Sequence, residues 1–273
     1  MKRIFLILLS NIICSSVSAQ PAASVFANED VTVTPLSAGR WVLETADMTT
    51  MYLLEGEREA LLIDTGTETK ALDSIVRLIT AKPLRVVATH WHPDHVGGAE
   101  FFPEMWMHPA DTVLLHRKPY DGRLRYLHDG EAIDLGGVRL HVSLMPGHTP
   151  GSVVFSDYES GDCYTGDAFG SGQVWLQCEP VSPIETYVES YRRMLRLMEE
   201  LGIERLYCGH YPYVKRPYDR NYVVAMLRLA EAVISGTAET VPFAHPTYVA
   251  PPETRMAIDS VNHVMIVFTP VGS

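Results

Sequence analysis

A chain of 273 residues, 47% hydrophobic and 20% charged, is long enough for one large folded domain or two small ones, and its composition excludes a disordered protein. A formal charge of −11 offers no attraction to phosphate backbones or acidic lipid, so nucleic acid is not an expected partner.

The first nineteen residues read apart from the rest. Lys2 and Arg3 form a basic start, residues 4–9 with Ile12 and Ile13 an apolar run, and Val17-Ser18-Ala19 a small-residue cleavage site before Gln20. This is the pattern of a secretory signal peptide. The run is broken by Ser10 and Asn11 and falls short of the about 20 apolar residues a spanning helix needs. Residues 1–19 are therefore expected to be removed on export to the periplasm or medium, with no stable membrane insertion afterwards. Residues 20–273 then form a single domain whose charge, without Lys2 and Arg3, is −13. Lipidation at Cys14 is the alternative, against which stands the large Ile13. Cleavage leaves Cys163, Cys178 and Cys208, an odd number that indicates no disulfide scaffold, and all three read as small buried hydrophobes.

Residues 31–34, 41–44, 51–54 and 60–64 are strand-like and separated by polar turns. The stretch 69–82 changes period, with Leu72, Ile75, Val76 and Ile79 on one helical face and Pro83 ending it. A β-branched strand at 85–89 leads into His90-Trp91-His92-Pro93-Asp94-His95, where Pro93 argues against continued strand or helix. Further short strands are expected at 105–107, 131–135, 139–144, 152–156 and 162–164, with Gly136-Gly137 as a hairpin turn. Ser182-Pro183-Ile184-Glu185 has the form of a capping box, and Ile184, Val188, Tyr191, Leu195 and Met198 form a helical stripe that ends before Gly202. A strand at 205–208 follows, then a second helix from about Asp219 to Gly236 and a last strand at 264–268. There is no internal repeat.

The chemistry concentrates in His90, His92, Asp94 and His95, four imidazole and carboxylate groups within six residues, which is a donor set that suits zinc and similar cations. In an extended segment His90 and His92 share one direction while Asp94 and His95 turn to another, so one peptide can serve two neighbouring ions. Three further candidates, His148, Asp167 and His210, each sit in a glycine-containing turn after an expected strand, where glycine lets the backbone approach a crowded centre.

The string Thr89-His90-Trp91-His92-Pro93-Asp94-His95-Val96-Gly97-Gly98, followed in order by His148, Asp167 and His210 and preceded by Leu62-Ile63-Asp64-Thr65-Gly66, resembles the metallo-β-lactamase superfamily from about residue 31 to 211. The resemblance implies an α+β fold, a four-layer αββα sandwich with a shallow groove at one sheet edge. It implies two divalent metal ions, zinc first, with iron or manganese as alternatives. His90, His92 and His148 would hold one ion and Asp94, His95 and His210 the other, with Asp167 bridging and Asp64 supporting from behind. The implied reaction is hydrolysis of an ester, lactone or related acyl bond of a small-molecule substrate by a metal-bridging hydroxide, Asp94 serving first as ligand and also as a candidate proton carrier.

Other readings stay in view. The antibiotic-cleaving β-lactamases of this family usually have cysteine or a non-ligand where Asp167 stands, yet export leads to where β-lactams act, so β-lactamase is the alternative. Acyl-homoserine lactonases resemble one another in a tyrosine three residues after the bridging aspartate, where this chain has Gly170. A glutathione thioester is an unexpected substrate outside the cytoplasm. From another class, the superfamily's persulfide dioxygenases use one iron on positions equivalent to His90, His148 and Asp167. His108, His116, His128, His141, His245 and His263 are given no role. Trp91, Phe169, Trp175 and Tyr211 either line a groove or pack, and residues 47–51 form either a flap or an ordinary hairpin loop.

Overall fold

The computed structural model describes residues 23–245 and 250–270; the expected signal segment, Cys14 included, lies outside them. The first sheet holds β1 (Phe26–Ala27), β2 (Val31–Ser37), β3 (Arg40–Thr45), β4 (Thr50–Glu55), β5 (Ala60–Ile63), β6 (Leu84–Val87), β7 (Glu104–Met107) and β8 (Arg123–Tyr126) in sequence order. It is antiparallel as far as β5 and parallel from β5 to β8. The second sheet combines β9 (Ala132–Asp134), β10 (Arg139–Leu144), β11 (Val153–Asp157), β12 (Asp162–Gly166) and β14 (Arg205–Cys208) in the order β14-β12-β11-β10-β9. A third, small sheet sets β13 (Gln173–Trp175) beside β17 (Val264–Phe268), then β16 (Arg255–Asp259) and β15 (Thr240–Pro242).

Side chains alternate between the two faces of a strand, so a strand apolar at every position needs cover on both. In β4, Met51 and Leu53 enter one core while Tyr52 and Leu54 enter another; in β5, Ala60 and Leu62 separate from Leu61 and Ile63 in the same way. One of these cores is closed by α1 (Leu72–Ile79) through Leu72, Ile75 and Val76. The other is shared with the second sheet through Leu140, Val142, Val153, Phe155, Tyr164 and Tyr207. The opposite faces of those strands, at Val154, Cys163 and Leu206, pack with α3 (Ile184–Glu200) and α5 (Arg220–Ile234). The result is the expected layering of helix, sheet, sheet and helix. Among the described residues no helix is long and apolar enough to cross a membrane.

Local expectations needed correction. No strand continues into Pro93, since β6 ends at Val87, but Pro93 begins an unexpected single-turn helix, α2 (Pro93–Val96), because proline's missing N–H costs nothing at a first helical position. The capping box before α3 does not form: Pro183 has an extended ψ of 142° and is itself the N-cap, leaving Ser182 one residue out of reach. Asp219 does cap α5, accepting from the N–H groups of Asn221 and Tyr222. The expected lone C-terminal strand is part of the third sheet, and β8 was not expected, since its Arg-Leu-Arg-Tyr alternates over four residues only and is mostly exposed.

Candidate metal centre

Strand direction gathers the site. β11 is antiparallel to β10 and β12, and β14 is parallel to β12, so β10, β12 and β14 run the same way. The turns beyond their C-terminal ends carry His148, Asp167 and His210. In the first sheet the parallel β5 and β6 deliver Asp64 and the segment from His90 to His95. Val153 N–H donates to the Thr89 carbonyl at 2.8 Å and joins the two edges. Short helices then aim the rings: His92 precedes α2, which carries Asp94 and His95, and His210 precedes α4 (Tyr211–Val214).

All seven candidates meet there. Three sets of ligand atoms, His90 with His92 and His148, His90 with His95 and Asp167, and Asp94 with His95 and His210, each lie within 4.8 Å of one another. Asp167 Oδ2 is 3.1 Å from His210 Nε2, 3.6 Å from His95 Nε2 and 3.8 Å from His148 Nε2. Asp94 Oδ2 is 3.6 Å from His210 Nε2 and 3.7 Å from His95 Nε2, with its side chain 40% exposed.

The far nitrogens of His90, His95, His148 and His210 fix what the near ones present, whereas His92 turns its Nδ1 to His148 Nε2 at 3.0 Å. His148 Nδ1 donates to the Trp175 carbonyl at 2.7 Å and His210 Nδ1 to the Met48 carbonyl at 3.1 Å, since a carbonyl only accepts. His95 Nδ1 is 2.9 Å from Asp64 Oδ2. Thr89 Oγ1 donates to Asp64 Oδ2 at 2.8 Å and so accepts from His90 Nδ1 at 3.1 Å. In the neutral tautomers this leaves bare Nε2 lone pairs facing the carboxylates of Asp94 and Asp167 and one another. His90 Nε2, His92 Nε2, His95 Nε2 and Asp167 Oδ1 are buried with no hydrogen-bond partner. Acceptors confronting acceptors in a buried space require protons or cations between them, and this donor set fits divalent metal ions.

Without a cation the site titrates abnormally. Burial, reinforced by neighbouring imidazoles, pushes His90 and His92 well below the usual imidazole range. Burial opposes charge on His95 too, but Asp167 and Asp94 raise it well above that range. Burial resists ionisation of Asp167, yet His210 and His95 hold its carboxyl well below the carboxylate range. Burial raises Asp64 despite its bonds to His95 and Thr89.

The backbone is strained where it supports the site. Asp64 (φ 63°) and Met48 (φ 74°) lie in the left-handed region that few non-glycine residues occupy, and each holds a site histidine. A Cβ at Gly209 would strike Asp167 Oδ1 and His95 Cε1. Of the possible groove residues, Trp91 and Phe169 are core, whereas Trp175 and Tyr211 are half-buried. Trp175 stacks edge-on against Phe243 and His245, and Met48 and Tyr213, 41% and 66% exposed, flank His210. The carbonyls of Met48 and Trp175 escaped sequence reading because a main-chain acceptor has no signature. Asp111 escaped it too: fully buried, it bonds to the two loops on either side of the His92 and His148 rings.

The profile of the metallo-beta-lactamase superfamily matches residues 45–210 of the chain. The chain belongs to this superfamily. It is accordingly an enzyme, a metallo-hydrolase of that superfamily. An acyl-coenzyme A thioesterase of Gallus gallus is 29% identical over 222 residues, covering 65% of this chain and 79% of that protein. Hydroxyacylglutathione hydrolase of Haemophilus influenzae is 27% identical over 58% of this chain and 83% of its own length. A mitochondrial persulfide dioxygenase of Bos taurus is 33% identical over 47% of this chain and 51% of its own. A solved metallo-beta-lactamase from Pontibacter korlensis superposes with a TM-score of 0.60 at 18% identity, over 74% of this chain and 99% of that one, a likeness of fold.

Proposed function

We propose that this chain is a dinuclear hydrolase of acyl bonds, thioesters foremost, holding one divalent ion on His90, His92 and His148 and another on Asp94, His95 and His210, with Asp167 between them. The observation that carries the reading is the convergence of imidazole nitrogens on one carboxylate, Asp167 Oδ2, 3.1 Å from His210 Nε2 and 3.6 Å from His95 Nε2. Bound divalent ions there supply an activated water nucleophile at neutral pH and polarise a carbonyl. The rest falls to the chain's own side chains. Asp64, Thr89 and the carbonyls of Met48 and Trp175 fix the rings. Asp94, more exposed than Asp167, is the carboxylate assigned to carry a proton to the leaving group. Met48 and Tyr213 on one side and Trp175 with Phe243 on the other offer apolar walls to an acyl substituent. The thioesterase and hydroxyacylglutathione hydrolase relatives support the substrate class, with zinc the expected metal.

A second reading is favoured by the persulfide dioxygenase relative, whose similarity falls short of the whole chain but reaches 33% identity. Elemental analysis of protein purified without chelators or added metal separates the two. About two zinc ions per chain, with turnover of acyl-thioesters above that of lactones and β-lactams, is the expected result. A single iron per chain, with oxygen consumed on addition of persulfides, overturns it. Export with removal of residues 1–19 belongs to the proposal, and N-terminal sequencing of the exported form is its check.

A further inference from the structure

We infer that Asp111 is a positioning residue that clamps the His92 and His148 loops together and so sets the geometry of one ion site but not of the other. The inference rests on the dinuclear reading above. Asp111 lies in a 3₁₀ helix, Pro109–Leu114, outside every ligand segment, and is fully buried. Its Oδ2 accepts from Trp91 N–H at 2.9 Å and from Thr149 Oγ1 at 2.9 Å, and its Oδ1 accepts from Gly151 N–H at 2.6 Å. Trp91 stands between His90 and His92, and Thr149 follows His148. One carboxylate thus bonds to the backbone on both sides of the point where His92 Nδ1 and His148 Nε2 come within 3.0 Å. Trp91 is pinned further by its indole N–H to the Lys118 carbonyl at 3.0 Å.

Among the described residues no lysine or arginine pairs with Asp111, and its charge is met by neutral donors alone. Such burial is costly, and an apolar side chain would fill the space more cheaply. What an apolar side chain lacks is two acceptor oxygens that reach two separate loops. A Cβ at Gly151 would lie 2.6 Å from Asp111 Oδ1, so the loop comes as close as glycine permits. His95 and His210 are held elsewhere, by Asp64 and the Met48 carbonyl, and the three bonds of Asp111 reach neither of them nor Asp94.

In Asp111→Asn an NH₂ replaces one acceptor and faces a donor. The test compares wild type with Asp111→Asn after zinc loading, followed by dialysis against a weak chelator, zinc counting, and anomalous diffraction at the zinc edge to locate what remains. The expected outcome is a ten- to hundred-fold weaker affinity confined to the His90, His92 and His148 site, the range for loss of a group that orients a metal ligand. Should Asp111→Asn fail to fold, Thr149→Val removes one of the same bonds and Thr149→Ser restores the hydroxyl, giving loss and rescue at that site alone. Equal weakening of both sites, or of neither, overturns the inference. Wild-type protein that binds no zinc overturns the dinuclear reading itself.

Discussion

The two ends of the sheet pair handle buried charge in opposite ways. At the end away from the histidines, Arg40 of β3 forms an ion pair with the wholly buried Asp157 of β11. Beside it, Arg205 Nε of β14 donates to Asp162 Oδ1 of β12 at 2.6 Å, and Arg205 Nη2 donates to the Ser160 carbonyl at 2.6 Å. Each of these carboxylates has a guanidinium that is charged at every relevant pH. At the other end Asp64, Asp94 and Asp167 face imidazoles, which unlike a guanidinium can release a proton and offer a lone pair, and four buried polar atoms of the candidate ligand set have no partner. The same strands therefore carry permanent neutralisation at one end, which ties the sheets together, and deferred neutralisation at the other, which is what a metal centre requires.

The largest effect that would sharpen this contrast is expected at Gly209. In Gly209→Ala the new methyl displaces Asp167 and His95, and ångström-scale misplacement of a reacting constellation costs on the order of 100-fold in rate. Turnover should fall at least that far while the melting transition stays cooperative; an active Gly209→Ala with full metal content would show that the site tolerates the shift. Next comes the distal pair. Arg40→Ala strands a buried carboxylate and should cost about 3–5 kcal/mol in denaturant unfolding, with turnover per folded molecule unchanged. The double change Arg40→Met with Asp157→Leu should restore most of that stability, and a loss of activity in it would break the division between the two ends.

The smallest effect concerns acid. In metal-free protein the folded-state pKa values of His90 and His92 are depressed, so below about pH 6.5 the unfolded chain takes up protons that the folded chain refuses. Stability from these groups is present above the unfolded value and is lost as pH falls. His95 and His210, raised by Asp167, act in the opposite sense. The stability difference between wild type and His90→Gln should therefore shrink on acidification below that pH, by at most about 1.4 kcal/mol per pH unit; a difference that grows instead would mean that His90 is charged in the fold.

The donor loop was legible because its residues are local: His90, His92, Asp94 and His95 need no long-range information to be seen as a donor cluster. His148, Asp167 and His210 were legible as candidates from their glycine-containing turns after expected strands, and the family resemblance added their order. Trp91 and Phe169 show the limit. Both flank ligands in sequence, and both turned out to be core, because adjacent residues in a turn point in different directions. Asp111 shows it from the other side, as a lone aspartate whose three bonds run to residues 20, 38 and 40 positions away.

Taken by itself, the sequence determined where most strands of the two large sheets lie and that β4 and β5 need cover on both faces, since their apolar residues occupy consecutive positions and successive side chains point oppositely. It also determined which residues can ligate a metal, since that is a property of side-chain chemistry. Only the tertiary structure decided that the ends of β5, β6, β10, β12 and β14 share one edge, that the carbonyls of Met48 and Trp175 orient His210 and His148, and that a third sheet joins β13 to the C-terminal strands. The physical reason is that strand direction and main-chain acceptors carry no residue-specific mark, and take on meaning only once packing has chosen their neighbours.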